Sequence, residues 1–136
     1  MSEGYSGTPL GKKLGIKSGA YALISNAPDY YFDLFPDWPE DVVLEKTPKH
    51  QSLDFIHLFC PDIESLHLHF ATLKTYMKKS AMMWISWPKK SSGVQTDINE
   101  HIVREYALSN GLVDVKKAAI DQTWSGLKLV FRLKDR

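Results

Sequence analysis

The stretch LDFIHLFCPDIESLHLHFATLKTYMKKSAMMWISW, residues 53–87, decides the fold. It opens with an apolar run, Leu53 to Phe59, that reads as a buried strand. Pro61 and Asp62 can then open a helix from Ile63 to Lys79, whose apolar stripe falls at Leu66, Phe70, Leu73 and Met77. Ala81 to Trp87 is another apolar run and reads as the fourth strand of the chain, Leu53 to Phe59 being the third. Strands that alternate with helices favour a mostly parallel sheet covered on both faces.

Upstream, Ala20-Tyr21-Ala22-Leu23-Ile24 is bounded by Gly19 and by Asn26, Pro28 and Asp29, and reads as the first strand. Pro36 and Pro39 limit any helix between Tyr30 and Asp41 to one or two turns, and Val42 to Lys46 is a short second strand. Downstream, Asp97 and Glu100 form a capping-box-like start for a helix to about Ser109, with Ile98, Ile102, Val103 and Tyr106 on its buried face. Asn110-Gly111 ends it, and Leu112 to Ile120 with Leu127 to Leu133 form a closing hairpin around Thr123-Trp124-Ser125-Gly126. The expected class is α/β: a single three-layer Rossmann-like domain over residues 1–136, about six strands, mostly parallel with a C-terminal antiparallel hairpin. The turn-rich residues 1–18, including the helical turn Leu10 to Gly15, read as an N-terminal arm.

The 136 residues, 43% of them hydrophobic, suffice for one core. Seventeen Lys and Arg against sixteen Asp and Glu leave a net charge of +1, without the footprint of a general binder of duplex nucleic acid or of membrane surfaces. Any basic site must therefore be local. A sole cysteine, Cys60, excludes an internal disulfide and a multi-Cys zinc site and fits a reducing, cytoplasmic setting. Met1 to Leu10 lacks the apolar core of a signal peptide, and no run approaches a membrane span.

Strand–helix units closed by an antiparallel hairpin resemble the Rossmann-like sheet of the S-adenosylmethionine-dependent methyltransferases, shortened by about one strand–helix unit. The segments GYSGTPL (residues 4–10), KLGI (13–16), WISWPKK (84–90) and TWSGLK (123–128) are similar to the DUF3052-type family of small bacterial proteins, which has no established reaction. The methyltransferase resemblance implies a Gly-rich turn after the first strand, where missing side chains admit the cofactor, and an acidic residue about 20 positions on for the ribose. Here the turn is Ser25-Asn26-Ala27-Pro28-Asp29, without glycine, and the acidic residue is Glu45.

Ligands of open α/β sheets bind beyond the carboxyl ends of the strands. The loops after the first, third and fourth strands and the hairpin turn should share that edge. Lys89, Lys90, Ser91, Ser92 and Gly93, followed by a helix N-terminus at Asp97, suit an anion. Trp87 and Trp124, with Tyr30 and Tyr31, can offer stacking faces, and Asn26, Thr123 and Ser125 border the same edge. The loop is not a Walker A motif; His57, His67 and His69 form no metal set; Ser86 and Ser125 lack a nucleophile elbow. Cys60 precedes a helix N-terminus, where a thiol pKa can fall. No residue is assigned a catalytic role. The leading expectation is a non-catalytic module without a cofactor that binds a small anionic ligand or a protein partner; its oligomeric state is left open. The alternative is a divergent methyltransferase that binds S-adenosylmethionine with Glu45 on the ribose.

Overall fold

The βαβ unit of residues 53–87 sits at the centre of the sheet in the computed structural model, which describes residues 7–136; Gly4, Tyr5 and Ser6 of the quoted N-terminal motif lie outside the described residues. In chain order the elements are α1 (Leu10–Leu14), β1 (Tyr21–Ser25), a 3-10 turn (Tyr31–Leu34), β2 (Val43–Leu44), β3 (Leu53–Phe59), α2 (Ile63–Thr75), β4 (Met77–Pro88), α3 (Glu100–Ser109), β5 (Leu112–Ala119) and β6 (Trp124–Phe131). They form one six-stranded sheet in the order β2-β1-β3-β4-β6-β5. β2, β1, β3 and β4 pair in parallel, and β6 is antiparallel to both β4 and β5. The chain leaves β1 in one direction for β2 and returns on the other side as β3, so the topological switch point lies between β1 and β3.

Alternation along the central strands sends side chains into two cores. Leu58, Met83, Ile85, Trp87, Leu127 and Leu129 meet Leu66, Phe70, Val103 and Ala107 of α2 and α3. On the opposite face Phe55, Phe59 and Trp84 meet Leu10 and Leu14 of α1, and Tyr31 and Phe35 at the 3-10 turn. Leu10, Leu14 and Ile16 of the segment expected as an arm are thus packed onto the sheet. Leu14 is fully buried, and the indole N–H of Trp84 donates to the Leu14 carbonyl at 2.8 Å. No helix among the described residues is long and apolar enough to cross a membrane.

Three boundaries differ from the sequence expectation. α2 ends at Thr75, not Lys79, because Met77 pairs with Leu53 and buries its side chain through the sheet rather than along the helix stripe. α3 is capped by Asn99, whose side chain accepts from the Ile102 N–H at 2.9 Å. Asp97 instead accepts from the Ile63 N–H at 2.9 Å and ties its loop to the start of α2. The hairpin turns at residues 120–123, about three positions before the expected Thr123-Trp124-Ser125-Gly126. Asp121 Oδ1 accepts from the N–H groups of Thr123 and Trp124, each at 2.8 Å, so the turn is made by a side-chain carboxylate. Trp124, Ser125 and Gly126 already belong to β6, opposite Pro88, Trp87 and Ser86. Gly126 serves packing, not turning: a Cβ there would stand 3.0 Å from Ser86 Oγ and 3.1 Å from the Trp84 ring.

Candidate functional site

The loops after β4 and before β6 meet at the carboxyl edge, where the Lys89 N–H donates to the Thr123 carbonyl at 2.8 Å. Trp87, Lys89, Lys90 and Ser125 line a cavity of about 470 Å³ there, together with Asp97, Asn99, Glu100 and Lys117. Ser91, Ser92 and Gly93 do not reach into it. Ser92 Oγ donates to the Lys89 carbonyl at 2.6 Å and accepts from the Val94 N–H at 3.2 Å, while Gly93 takes φ 78°, so this loop is closed on itself. The α3 N-terminus expected to receive an anion is held by Asn99, and Glu100 beside it pairs with Lys117 and Arg104. Those hydrogen bonds and cations hold the Glu100 carboxyl below its ordinary range.

The aromatic residues do not form one platform. Trp87 is buried on the α2/α3 side, whereas Trp124 belongs to the opposite face and sets its ring edge-on against Phe59 at 5.0 Å. Tyr31 is buried as well, because the 3-10 turn folds it inward. Tyr30 alone of the two tyrosines keeps an exposed face, 39% accessible. Its phenol is pushed above its ordinary pKa by partial burial, then by Asp121.

A second cavity, of about 490 Å³, opens at the carboxyl ends of β1 and β2. Leu23, Ile24, Ala27, Phe32 and Leu44 give it apolar walls, and Asp29, Glu45 and Lys46 give it charge. Glu45 directly follows β2, held beside β1 by its N–H bond to the Ala22 carbonyl at 2.9 Å. The turn after β1 lacks glycine, yet Asn26 adopts φ 60°, the left-handed conformation that asparagine tolerates better than most residues. Its amide donates to the Phe59 carbonyl at 3.0 Å, which bridges the switch point from β1 to the end of β3.

Beneath that turn lies a polar line that the sequence reading did not assemble. Tyr31 Oη stands 2.9 Å from His57 Nδ1, and His57 Nε2 stands 2.7 Å from Ser86 Oγ, with all three residues buried. A neutral ring with its proton on Nε2 accepts from the phenol and donates to the serine; the other tautomer would leave the phenol proton without its partner. Burial holds the imidazole pKa down at about 3 and raises that of the Tyr31 phenol. Cys60 is likewise corrected: burial, with the Asp62 carboxylate, pushes its thiol up to about 12, opposite to the effect expected of a helix N-terminus. Neither His57 nor Cys60 has the access or ionisation that a reacting group needs.

No protein-family model matches the chain, and no curated relative matches it. Solved structures do. A SAM-dependent methyltransferase from Aquifex aeolicus matches with TM-score 0.63 and 13% identity over 90% of this chain and 88% of that one. The 1,6-didemethyltoxoflavin-N1-methyltransferase of Burkholderia thailandensis, with 1,6-didemethyltoxoflavin and S-adenosylhomocysteine bound, matches with TM-score 0.58 and 11% identity over 90% and 74%. The PH0226 protein of Pyrococcus horikoshii matches with TM-score 0.57 and 8% identity over 90% and 86%. At such identity the likeness establishes the Rossmann-like, methyltransferase-like fold. It also overturns the leading expectation of a non-catalytic module without a cofactor, because the fold this chain follows over nine-tenths of its length is one shared with S-adenosylmethionine-dependent methyltransferases.

Proposed function

We propose that this chain is a divergent S-adenosylmethionine-dependent methyltransferase, with its cofactor between the carboxyl ends of β1 and β2. The observation that carries this reading is Glu45 at the rim of an apolar cavity of about 490 Å³, next to the switch point of a methyltransferase-like sheet. That volume lies within the roughly 300–1,000 Å³ of small-molecule sites. The residues present suit the adenosine end of the cofactor: the Glu45 carboxylate can accept from two ribose hydroxyls, and Leu23, Leu44 and Phe32 can cover a flat base. The Asn26 turn supplies the backbone reversal that glycine would otherwise supply. Asp29, on the same wall, suits the cofactor's ammonium group.

When bound, the cofactor supplies an electrophilic methyl group. The chain's own part is to hold and orient the two reactants, since the buried His57 and Cys60 supply neither base nor nucleophile. The cavity lined by Lys89, Lys90 and Trp87 is the proposed acceptor side, with Thr123 and Ser125 at its margin. Its lysines favour an acceptor carrying negative charge. Membership of the DUF3052-type family and a cytoplasmic setting belong to the same proposal.

The test is thermal denaturation with S-adenosylhomocysteine. A ligand at about 100 times its Kd stabilises by roughly 2.7 kcal/mol. Glu45→Ala should weaken binding by about 10- to 100-fold, the scale of losing hydrogen bonds to a charged group. No shift with the wild-type protein at millimolar ligand would refute the proposal.

A further inference from the structure

Near-neutral overall charge makes a local excess of lysines informative, and one face carries such an excess. On β5, successive side chains diverge: Lys117 pairs with Glu100 of α3, while Lys116 crosses to the other face and donates to the Lys13 carbonyl of α1 at 2.8 Å. Lys116 sits opposite Lys128 in the β5–β6 register, a like-charged cross-strand pair that costs stability. Lys13 reaches the Ala119 carbonyl at 3.0 Å, and Lys128 Nζ would stand 3.8 Å from a Cβ on Gly15, so both ammoniums gather around the end of α1. Lys17 continues the row beyond α1, and Lys89 begins it at the carboxyl edge. Among the described residues none of these five lysines has a carboxylate partner. The crowding registers in their acidity. Lys13 and Lys128 lie below their ordinary pKa, through burial first and then through neighbouring lysines, Lys116 and Lys89 for one and Lys116 and Lys17 for the other.

We propose that the row Lys89, Lys13, Lys116, Lys128 and Lys17 binds the phosphodiester backbone of a single-stranded nucleic acid. Repeated cations without carboxylates match a polymer with regularly spaced charge better than they match one small anion. The aromatic residues at the upper end of the row select a strand whose bases are free. Tyr30 is exposed beside the Asp121 turn, and Trp124, half-buried, adjoins the Thr123 carbonyl that fixes Lys89. Bases of an unpaired strand can stack there while the phosphates follow the lysines, the combination that sequence-tolerant single-strand binders use. A duplex offers no free base face to these rings. Lys89 also lines the first cavity, whereas the other four lysines lie outside both cavities, and the inference does not depend on the cofactor.

Fluorescence anisotropy of a labelled oligothymidylate of about 12 nucleotides tests it with the full chain. Five neutralised phosphates give a slope of log K against log salt near −3.5, so affinity should fall about 100-fold between roughly 50 and 200 mM salt. Lys17→Glu and Lys116→Glu should each weaken binding by at least about 10-fold at low salt. The Lys17 side chain makes no hydrogen bond or ion pair among the described residues, only its carbonyl accepting from the Ala20 N–H, so Lys17→Glu guards against misfolding of the Lys116 variant. Lys49→Glu, the same charge change in the loop before β3, should leave binding within about twofold. Absence of saturable binding at low salt would overturn the proposal, as would Lys17→Glu behaving like Lys49→Glu. Equal displacement by polyglutamate of matched charge would reassign the face to an acidic polypeptide and overturn it too.

Discussion

Lowering the pH from 7.5 to 4.5 should destabilise this protein in large part through His57. The imidazole is fully buried in β3 between Tyr31 and Ser86, and its folded pKa of about 3 lies far below the 6.5 of a free histidine. The unfolded chain therefore takes up the proton first. The contribution of neutral His57 is intact above about pH 6.5 and is lost progressively as the pH falls from there toward 3. Each pH unit in that window costs about 1.4 kcal/mol, so about 3 kcal/mol is gone at pH 4.5. That is a large share of the roughly 5–15 kcal/mol typical of a domain. His57→Gln keeps a group that can accept from Tyr31 and donate to Ser86 but does not titrate. Urea unfolding of both proteins at the two pH values isolates the effect, because the carboxylates contribute equally to each. Wild type should lose about 3 kcal/mol more than the variant, whatever constant offset the variant carries. Equal pH slopes would refute the reasoning, and so would an NMR titration of the His57 ring with a midpoint near 6.5.

Further outcomes follow from close contacts. Gly126→Ala forces a Cβ against Ser86 Oγ and the Trp84 ring and should cost about 1–3 kcal/mol in chemical denaturation. Asn99→Ala removes the α3 cap and should cost about 1 kcal/mol, whereas a Ser at that position should retain most of the stability. Cys60, buried and with its thiol raised to about 12, should resist iodoacetamide at pH 8 until denaturant is added, as a mass spectrum would show.

The fold was legible where periodicity and burial agree. Leu53 to Phe59 and Ala81 to Trp87 are interior strands in which only Asp54 and Met82 are part-exposed, and their apolar runs are long enough to be read directly. Boundaries were less legible, since a partner decides them: Lys78 and Lys79 are compatible with a helix, but Met77 is drawn into the sheet by Leu53. The hairpin turn differs from the expectation because Trp-Ser-Gly looks like turn chemistry, while Asp121, three residues before Trp124, supplies the acceptor that makes the turn. At the site, Lys89 and Lys90 do line a cavity with Trp87, but alternation puts Trp124 on the other face of the sheet. The Tyr31, His57 and Ser86 line joins residues 26 and 29 positions apart and has no spacing signature at all. Glycine was sought after β1 for its backbone freedom, and Asn26 provides the same conformation with a side chain that also reaches β3.

The docking of α1 also sets an order of events during synthesis. Its near anchor is the Asp37 carboxylate, which accepts from the N–H groups of Gly11 and Lys12 at 2.8 Å each; its far anchors are the Trp84 indole, 70 positions away in the chain, the Lys116 ammonium, 103 away, and the Ala119 carbonyl, 106 away. The helix is only five residues long, so the Asp37 carboxylate alone leaves it marginal until the far partners exist. On a ribosome adding roughly 5–20 residues per second, α1 must wait some 5–20 s for β5 to emerge. Leu10, Leu14 and Ile16 can meet Tyr31 and Phe35 early but Ala118 and Ile120 only after that interval, so the contacts of the first helix with the closing hairpin are among the last the fold completes.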